Sequence, residues 1–410
     1  MLTKEESKKF SEILETLGET LDISETQYNA AVGSYSAVGD WLAKSDSSLA
    51  PYNPIIRPQG SFMLGTMVKP INEKDDLDID LVCELTGKKA SWTQYNLKQA
   101  VGNRLKETER YKKMLEEEGR RCWTLLYADS ANYHMDILPC IVSNEYSILL
   151  EKAYSATASY NGYESLAIRI TDKKEDNYYT ETDVENWLKS NPFGYGRWFF
   201  SKADVLPLRK SVILSEAVNP VPKYNREKLP LQRVVQILKR HRDMMFNGSD
   251  GKPISIAITT LAALAYKKET STIDALINIV GNMEHYIEER YDRNFGKFVK
   301  WISNPVNPEE NFADKWIEHP QREQNFYKWL AQVKQDVHNI VRQRGYHNIS
   351  EAMKKPFGEA TVLKAFSTLG VNSFDIRQSG NMKMNEGTGN FSSTGTIPVI
   401  THNFHGNKET

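Results

Sequence analysis

Apolar side chains change their spacing twice along the chain, and each change predicts a different kind of structure. Residues 4–46 read as helices: a polar opening segment, then Ser24 followed three residues later by Gln27, a reciprocal capping pair that starts a run to about residue 44. From about residue 52 to 140 the pattern turns into short, β-rich apolar runs at 53–57, 77–83, 122–127 and 133–140, with a helical stretch over about 92–113 between them. Residues 150–215 are rich in Tyr and Ser, carry one further strand-like piece at 165–170, and read as core completed by surface loops. Beyond the turn-rich Asn219-Pro220-Val221-Pro222 the rhythm becomes helical, with Leu231, Val234, Val235 and Leu238 at i, i+3, i+4 and i+7 on one face. It continues through 253–267, 272–291, 322–343 and about 358–369, interrupted by the loop Asn304-Pro305-Val306-Asn307-Pro308, and no repeat of fixed period runs through it.

These elements predict an α+β protein in four parts: supporting helices over 1–50, a mixed strand-and-helix core over 51–220, a helical lobe over 221–375, and a tail over 376–410. The tail is rich in Gly, Asn, Ser and Thr and has no Leu, Ala, Trp or Tyr, so it cannot build a core and is expected to be flexible.

Composition narrows the functional classes. With 410 residues, 40% of them apolar and 26% charged, the chain can bury a sizeable core and has the make-up of a soluble globular protein. Lys and Arg total 52 against 53 Asp and Glu, so there is no overall basic field for binding long nucleic acid. The three cysteines, Cys83, Cys122 and Cys140, form no CxxC pair, which argues against a zinc ribbon or a disulfide scaffold and for a reducing compartment. The charged opening from Lys4 to Lys9 is unlike a signal peptide, and the greasiest segment, 254–266, is too short and too polar to span a bilayer. A cytoplasmic location without membrane attachment is the expectation.

The most informative stretch is Gln59-Gly60-Ser61-Phe62 followed by Asp75-Asp76-Leu77-Asp78-Ile79-Asp80-Leu81-Val82. In a strand, successive side chains alternate faces, so Asp78 and Asp80 share one face while Leu77, Ile79 and Leu81 enter the core. Two carboxylates about 4 Å apart repel by roughly 4 kcal/mol at an effective dielectric of about 20, so such a pair calls for protons or a cation. Oxygen ligands of this kind suit Mg²⁺ or Mn²⁺. A calcium loop counted from Asp76 would need Gly at 81 and Glu at 87, where Leu81 and Gly87 stand. A third acid, Asp136, lies between Met135 and Ile137 in another strand-like run, and an acid in that setting also invites a metal. Gly60 permits close backbone approach, and the Ser61 hydroxyl can hold a phosphate oxygen. A solvated acidic turn is the plain alternative for any one of these pieces; their combination is specific.

Gly60-Ser61, Asp78-Ile79-Asp80 and Met135-Asp136-Ile137 resemble the signature of the polymerase-β-like nucleotidyltransferases. The helical half, with Lys239 in Leu238-Lys239-Arg240, Ser255 in Ile254-Ser255-Ile256, and the 304–308 loop followed by Asn311-Phe312-Ala313, resembles the bacterial CD-NTases, relatives of cyclic GMP–AMP synthase and oligoadenylate synthase. The likeness covers roughly residues 50–370. It implies a two-lobed enzyme with ATP and GTP bound between a nucleotidyltransferase core and a helical lobe, making a cyclic di- or trinucleotide messenger in anti-phage (CBASS) signalling. It implies two Mg²⁺ or Mn²⁺ ions held by Asp78, Asp80 and Asp136, with Gln59, Gly60, Ser61, Lys239 and Ser255 on the nucleotides.

Alternatives stay open at this point. Lys239 could be a solvated lysine of a basic helix and Ser255 a helix N-cap; Arg57 and Gln59 could only support the Gly-Ser turn, and His134 could be structural. The chain could instead transfer nucleotides to RNA, a protein or a small molecule without cyclisation, or bind nucleotides or RNA as a sensor without turnover. No His and Cys cluster supports zinc-dependent DNA sensing. The segment Thr401 to Thr410 resembles C-termini that a ligase partner joins to other molecules, although four residues follow Gly406; an activating ligand is a further candidate partner.

Overall fold

The computed structural model describes residues 2–72, 77–127, 133–155, 162–203, 217–219, 221, 223–249, 251–293, 295–384, 386, 391–392 and 396–399. Two helices open the chain, α1 (Lys4–Leu21) and α2 (Glu25–Ala43), and each starts on a reciprocal cap, Thr3 with Glu6 and Ser24 with Gln27. They serve different cores. Phe10, Ile13, Leu14 and Leu17 of α1 bury in the helical half, whereas Ala31, Tyr35, Val38 and Leu42 of α2 bury against the sheet.

The sheet is built from β1 (Ile55–Pro58), which runs into the short helix α3 (Gly60–Leu64), then β2 (Leu77–Thr86), β3 (Trp123–Tyr127), β4 (Tyr133–Val142), β5 (Ile168–Ile170) and β6 (Leu188–Ser190). Its order is β1-β2-β4-β5-β6, with β3 also paired to β4; β2 and β4 run parallel and the other neighbours antiparallel. Helices α4 (Gln94–Lys106) and α5 (Glu109–Met114) separate β2 from β3, α6 (Tyr146–Ser155) follows β4, and α7 (Pro192–Lys202) follows β6. Strand alternation divides the sheet cleanly. Ile79, Leu81, Cys83, Met135 and Ile137 pack with α2 and with Leu97, Val101 and Leu105 of α4, while Val82, Leu138 and Cys140 face α7 and the helical half. Each such fully buried aliphatic side chain is worth about 1.5–3 kcal/mol.

The helical half comprises α8 (Pro230–Phe246), α9 (Ser255–Ala265), α10 (Thr272–Asn282), α11 (Lys315–Glu318), α12 (Pro320–Arg342), α13 (Tyr346–Phe357) and α14 (Glu359–Gln378). Two ribbons interrupt it, β7 (Glu288–Asp292) with β8 (Lys297–Trp301), and β9 (Ser303–Asn304) with β10 (Asn307–Asn311). Helix α8 is the spine, in contact with α1, α9, α10, α12 and α13. Leu231, Val234, Val235 and Leu238 are buried, as the spacing predicts, and the polar side chains of α8 are enclosed as well. Arg233 is held by Glu15 and Asp22 of the α1 region, each at 3.1 Å, and by Gln236 at 2.9 Å.

Several expectations need correction. Residues 192–202, expected as loop, form α7: Asn191 Oδ1 accepts the Gly194 N–H at 2.9 Å and Pro192 takes the first turn, so capping and aromatic burial outweigh two glycines. The helix expected over 272–291 stops at Asn282, because residues 288–292 pair with 297–301. Helix α13 is an addition, and the stretch over 92–113 is two helices, with Thr108 capping the second. The tail expected from 376 carries the end of α14 and then a small antiparallel sheet of β11 (Lys383–Met384), β12 (Phe391–Ser392) and β13 (Ile397–Pro398), whose pairing uses backbone groups and needs no core. The segment 401–410, where ligase attachment was considered, lies outside the described residues, as do Asp75 and Asp76. Among the described residues no helix is long and apolar enough to cross a membrane.

Candidate active site

The site begins where β1 becomes α3. Gln59 donates its backbone N–H to the Asp80 carbonyl at 2.9 Å, tying this turn to β2. Gly60 has φ +60°, and a Cβ there would lie 2.3 Å from Asp80 Oδ2. Both the backbone conformation and the approach of the carboxylate therefore require glycine. At the other end of α3, the Gln232 amide of α8 donates to the Leu64 carbonyl at 2.7 Å, so the first turn of α8 caps the phosphate-loop candidate.

Asp78 and Asp80 stand at alternate positions of β2 on the face that continues into Val82, the face turned to the helical half. The parallel register sets Asp80 beside Asp136 and Asp78 beside His134. Thr124 of β3 donates its hydroxyl to Asp136 Oδ1 at 2.5 Å and so orients that carboxylate. Burial pushes the Asp80 carboxyl up to about 7, the Asp136 and Asp78 charges push the same way, and Lys239 opposes them. Asp78 is exposed and Asp80 half-buried. Among the described residues no three acidic, His or Cys side chains are gathered at metal-ligand distance. The donor chemistry nevertheless fits a hard cation: the acids are oxygen ligands whose mutual repulsion a cation relieves, and Mg²⁺ commonly takes only one or two carboxylates and completes its shell with substrate phosphates.

Ser61, Asp78, Lys239 and Ser255 line one cleft of about 210 Å³ between the sheet and the helical half. The Ser61 hydroxyl has no hydrogen-bond partner among the described residues. Lys239 is buried, not solvated; its Nζ donates to the Thr66 carbonyl at 3.2 Å and to Thr66 Oγ1 at 3.3 Å. Burial brings its ammonium down to about 8, Arg242 adds to that, and Asp243 and Asp80 pull it back up. Ser255 is the first residue inside α9; the cap position belongs to Ile254, which makes no side-chain cap, so the N-cap alternative is off by one residue. Its hydroxyl instead accepts from Arg242 Nη1 at 2.8 Å. Thr66 is a cleft residue that sequence reasoning missed, whereas Arg242, also in the cleft, belongs to the basic helical segment that begins at Lys239 in the sequence.

Gln59 and Gly60 border a different hollow of about 250 Å³, which Asp80 also lines, together with Tyr195, Asn304, Glu310 and Phe312. Arg57 lies in the sheet interior, paired to Glu84 at 2.8 Å with both side chains almost fully buried, and so ties β1 to β2. His134 is half-buried, with Nε2 3.9 Å from Glu116.

Residues 54–139 match the family model described as cyclic GMP-AMP synthase DncV-like, nucleotidyltransferase domain, a span that contains Gly60, Ser61 and all three aspartates. A protein named c-di-GMP synthase from Roseivirga ehrenbergii is 27% identical over 418 residues, covering 99% of this chain and 100% of its own length. The cyclic dinucleotide synthase CdnG of Bradyrhizobium diazoefficiens is 22% identical over 371 residues, covering 85% and 81%. The structure of CdnG from that organism in complex with GTP superimposes with a TM-score of 0.61 at 19% identity, over 88% of this chain and 99% of that one. At such identity the superposition speaks for fold alone, and the fold it speaks for is a polymerase-β-like core carrying a helical lobe. The family match lies across the acid-bearing strands, and the likeness to the Roseivirga protein runs the length of both chains, so this chain is similar to bacterial cyclic dinucleotide synthases from end to end.

Proposed function

We propose that the protein is a metal-dependent nucleotidyltransferase that joins nucleoside triphosphates into a cyclic dinucleotide messenger and releases pyrophosphate. The observation that carries this reading is the register of β2 on β4, which sets Asp80 beside Asp136 on the face turned to Lys239. The names of the two relatives, both cyclic dinucleotide synthases, support cyclisation over simple transfer.

Asp78, Asp80 and Asp136 would hold Mg²⁺ or Mn²⁺, two ions per site, which neutralise phosphate charge and make a ribose hydroxyl more acidic. Asp136, oriented by Thr124, stands to take the proton of the acceptor hydroxyl. The hydroxyl oxygen attacks the α-phosphorus of the second nucleotide in line; an O–P bond forms, the bond to pyrophosphate breaks, and a second round closes the ring. Ser61 and Lys239 meet the triphosphate, and Arg242 reaches the same cleft through Ser255. Incoming negative charge favours the protonated form of Lys239, so substrate binding secures the cation it needs. We place the product in anti-phage (CBASS) signalling within the cytoplasm.

Purified protein incubated with the four ribonucleoside triphosphates and Mg²⁺ or Mn²⁺ should yield a phosphatase-resistant cyclic product by mass spectrometry, and the Asp78→Asn/Asp80→Asn variant none. Linear or protein-linked nucleotides in its place would exclude the cyclase reading. Phage plating on cells carrying the intact system against that variant tests the defence role; equal plating removes it.

A further inference from the structure

The second hollow that Asp80 lines contains a further carboxylate that phosphate chemistry does not explain. Its walls include Met63, Ile256 and the half-buried ring of Phe312, which meets Tyr195 edge-on at 6.4 Å. Glu310 of β10 lines it too. This side chain is held in place by an amide. Asn304 is buried; its Oδ1 accepts the Val306 N–H at 3.0 Å, which leaves Nδ2 to donate to Glu310 Oε2 at 2.7 Å. The strand itself is pinned by Asn311, whose Oδ1 accepts the N–H groups of Ile302 and Ala313 at 2.9 and 2.8 Å. Among the described residues no Lys, Arg or His lies within ion-pair distance of Glu310. An acid next to a triphosphate site opposes the ligand's charge unless the ligand brings it N–H donors.

Guanine brings two side by side, N1–H and N2–H₂, matched to the two oxygens of a carboxylate. Adenine offers one donor beside an acceptor nitrogen, uracil one N–H between two carbonyls, and cytosine one amino group beside an acceptor. Oε2 has a lone pair left after Asn304, and Oε1 has no partner among the described residues, so both oxygens remain able to accept. Phe312 and Ile256 supply apolar surface for the base.

We propose that Glu310 reads the N1–H and N2–H₂ edge of guanine, making this hollow a guanine-selecting subsite. The proposal rests on the nucleotidyltransferase reading above and names one of its substrates, a guanine nucleoside triphosphate.

The test uses inosine triphosphate, which keeps N1–H and lacks the 2-amino group. Initial rates of pyrophosphate release and calorimetric binding are measured for GTP, ITP and ATP with the full chain and with Glu310→Ala and Glu310→Gln, each checked for an unchanged melting temperature. The parent is expected to favour GTP over ITP and over ATP by about tenfold or more in kcat/KM and in affinity. In Glu310→Ala the GTP to ITP ratio falls to near one, and Glu310→Gln, with a single acceptor left, falls between. A parent that treats GTP and ITP alike, or a folded Glu310→Ala that keeps the parent's ratio, overturns the proposal. If the parent turns over no nucleotide, the cyclase reading fails while binding still decides the role of Glu310; a GTP preference that disappears in Glu310→Ala then upholds it, and equal or absent binding rejects it.

Discussion

One strand, β2, carries acids on one face in two settings. At its inner end Glu84 is fully buried, with Arg57 2.8 Å away and that guanidinium also bonded to Asn219. At its outer end Asp80 is half-buried among Asp78 and Asp136, and no ion pair among the described residues holds it. Burial pushes both carboxyls above the usual range, but the neighbours act in opposite senses: Arg57 draws Glu84 back down, whereas two further acids push Asp80 up to about 7. The same strand thus uses one acid to hold itself to β1 and keeps Asp80 among like charges. A fixed counter-ion marks structure; like charges gathered at the mouth of a cleft mark a place for a cation and a polyanion.

The largest expected effect breaks the outer end. Asp80→Asn should reduce pyrophosphate release at least about 10³-fold, since the group that would bind the cation is lost, while stability stays level or rises by roughly 1 kcal/mol as repulsion is relieved. Chelation by EDTA should silence the parent in the same assay, with Mg²⁺ or Mn²⁺ restoring it. The inner end should answer in the opposite way. Glu84→Gln leaves the Arg57 guanidinium buried without its counter-charge, and the unfolding free energy from denaturant titration should fall by about 3–5 kcal/mol, with activity per folded molecule largely retained. An Asp80→Asn protein that melts well below the parent, or a Glu84→Gln protein that is stable but dead, would reverse the contrast.

Gly60→Ala sharpens the contrast because it perturbs Asp80 without touching its charge. The added methyl would meet the carboxylate at 2.3 Å and sit at φ +60°, so Asp80 must move. A shift of about 1 Å in a reacting constellation costs roughly 100-fold, and that loss is expected in kcat, with a stability cost of about 1–2 kcal/mol. A variant that keeps full kcat would mean that the close approach of Gly60 to Asp80 does not matter for turnover.

The outer end was legible in the chain because it depends on local rules. Alternation along 77–82 puts Asp78 and Asp80 on one face, and the Leu231 to Leu238 spacing predicts the buried seam of α8. What stayed hidden depends on distant partners. The basic side of α8 reads as a solvated face until α1 and residues 66–69 close over it; Lys239 then bonds Thr66 and Arg240 donates to the Lys69 carbonyl at 2.8 Å. The Glu310 hollow draws on residues from 59 to 312, and no window of sequence shows its parts meeting. Helix α7 was obscured by Gly194 and Gly196, which lower helix propensity but fit beneath Asn191 and Met63, where a Cβ would lie 2.4 and 2.6 Å from side-chain atoms.

The smallest effect extends the contrast to a second acid with fixed partners. Asp172 is buried beside β5 and accepts from Arg120 Nε at 2.7 Å, Arg121 Nε at 2.8 Å and the Lys174 N–H at 3.0 Å. Burial alone would raise its carboxyl, but the Arg120 bond, the Lys174 N–H and Arg121 together more than offset that and hold it below the usual range. A folded-state value below the unfolded one adds stability above the ordinary carboxylate range, and that contribution disappears as pH falls through the folded value. Asp172→Asn should therefore lower stability at pH 7 by about 1–2 kcal/mol, since the two arginines are partly exposed and can turn to water, and should leave a smaller loss on acidification below pH 4. Denaturant midpoints followed from pH 7 to pH 3 check this. Parallel acid limbs for parent and variant would mean that the two arginines do not stabilise the Asp172 charge, and that a fixed partner on this fold is not enough to mark an acid as structural.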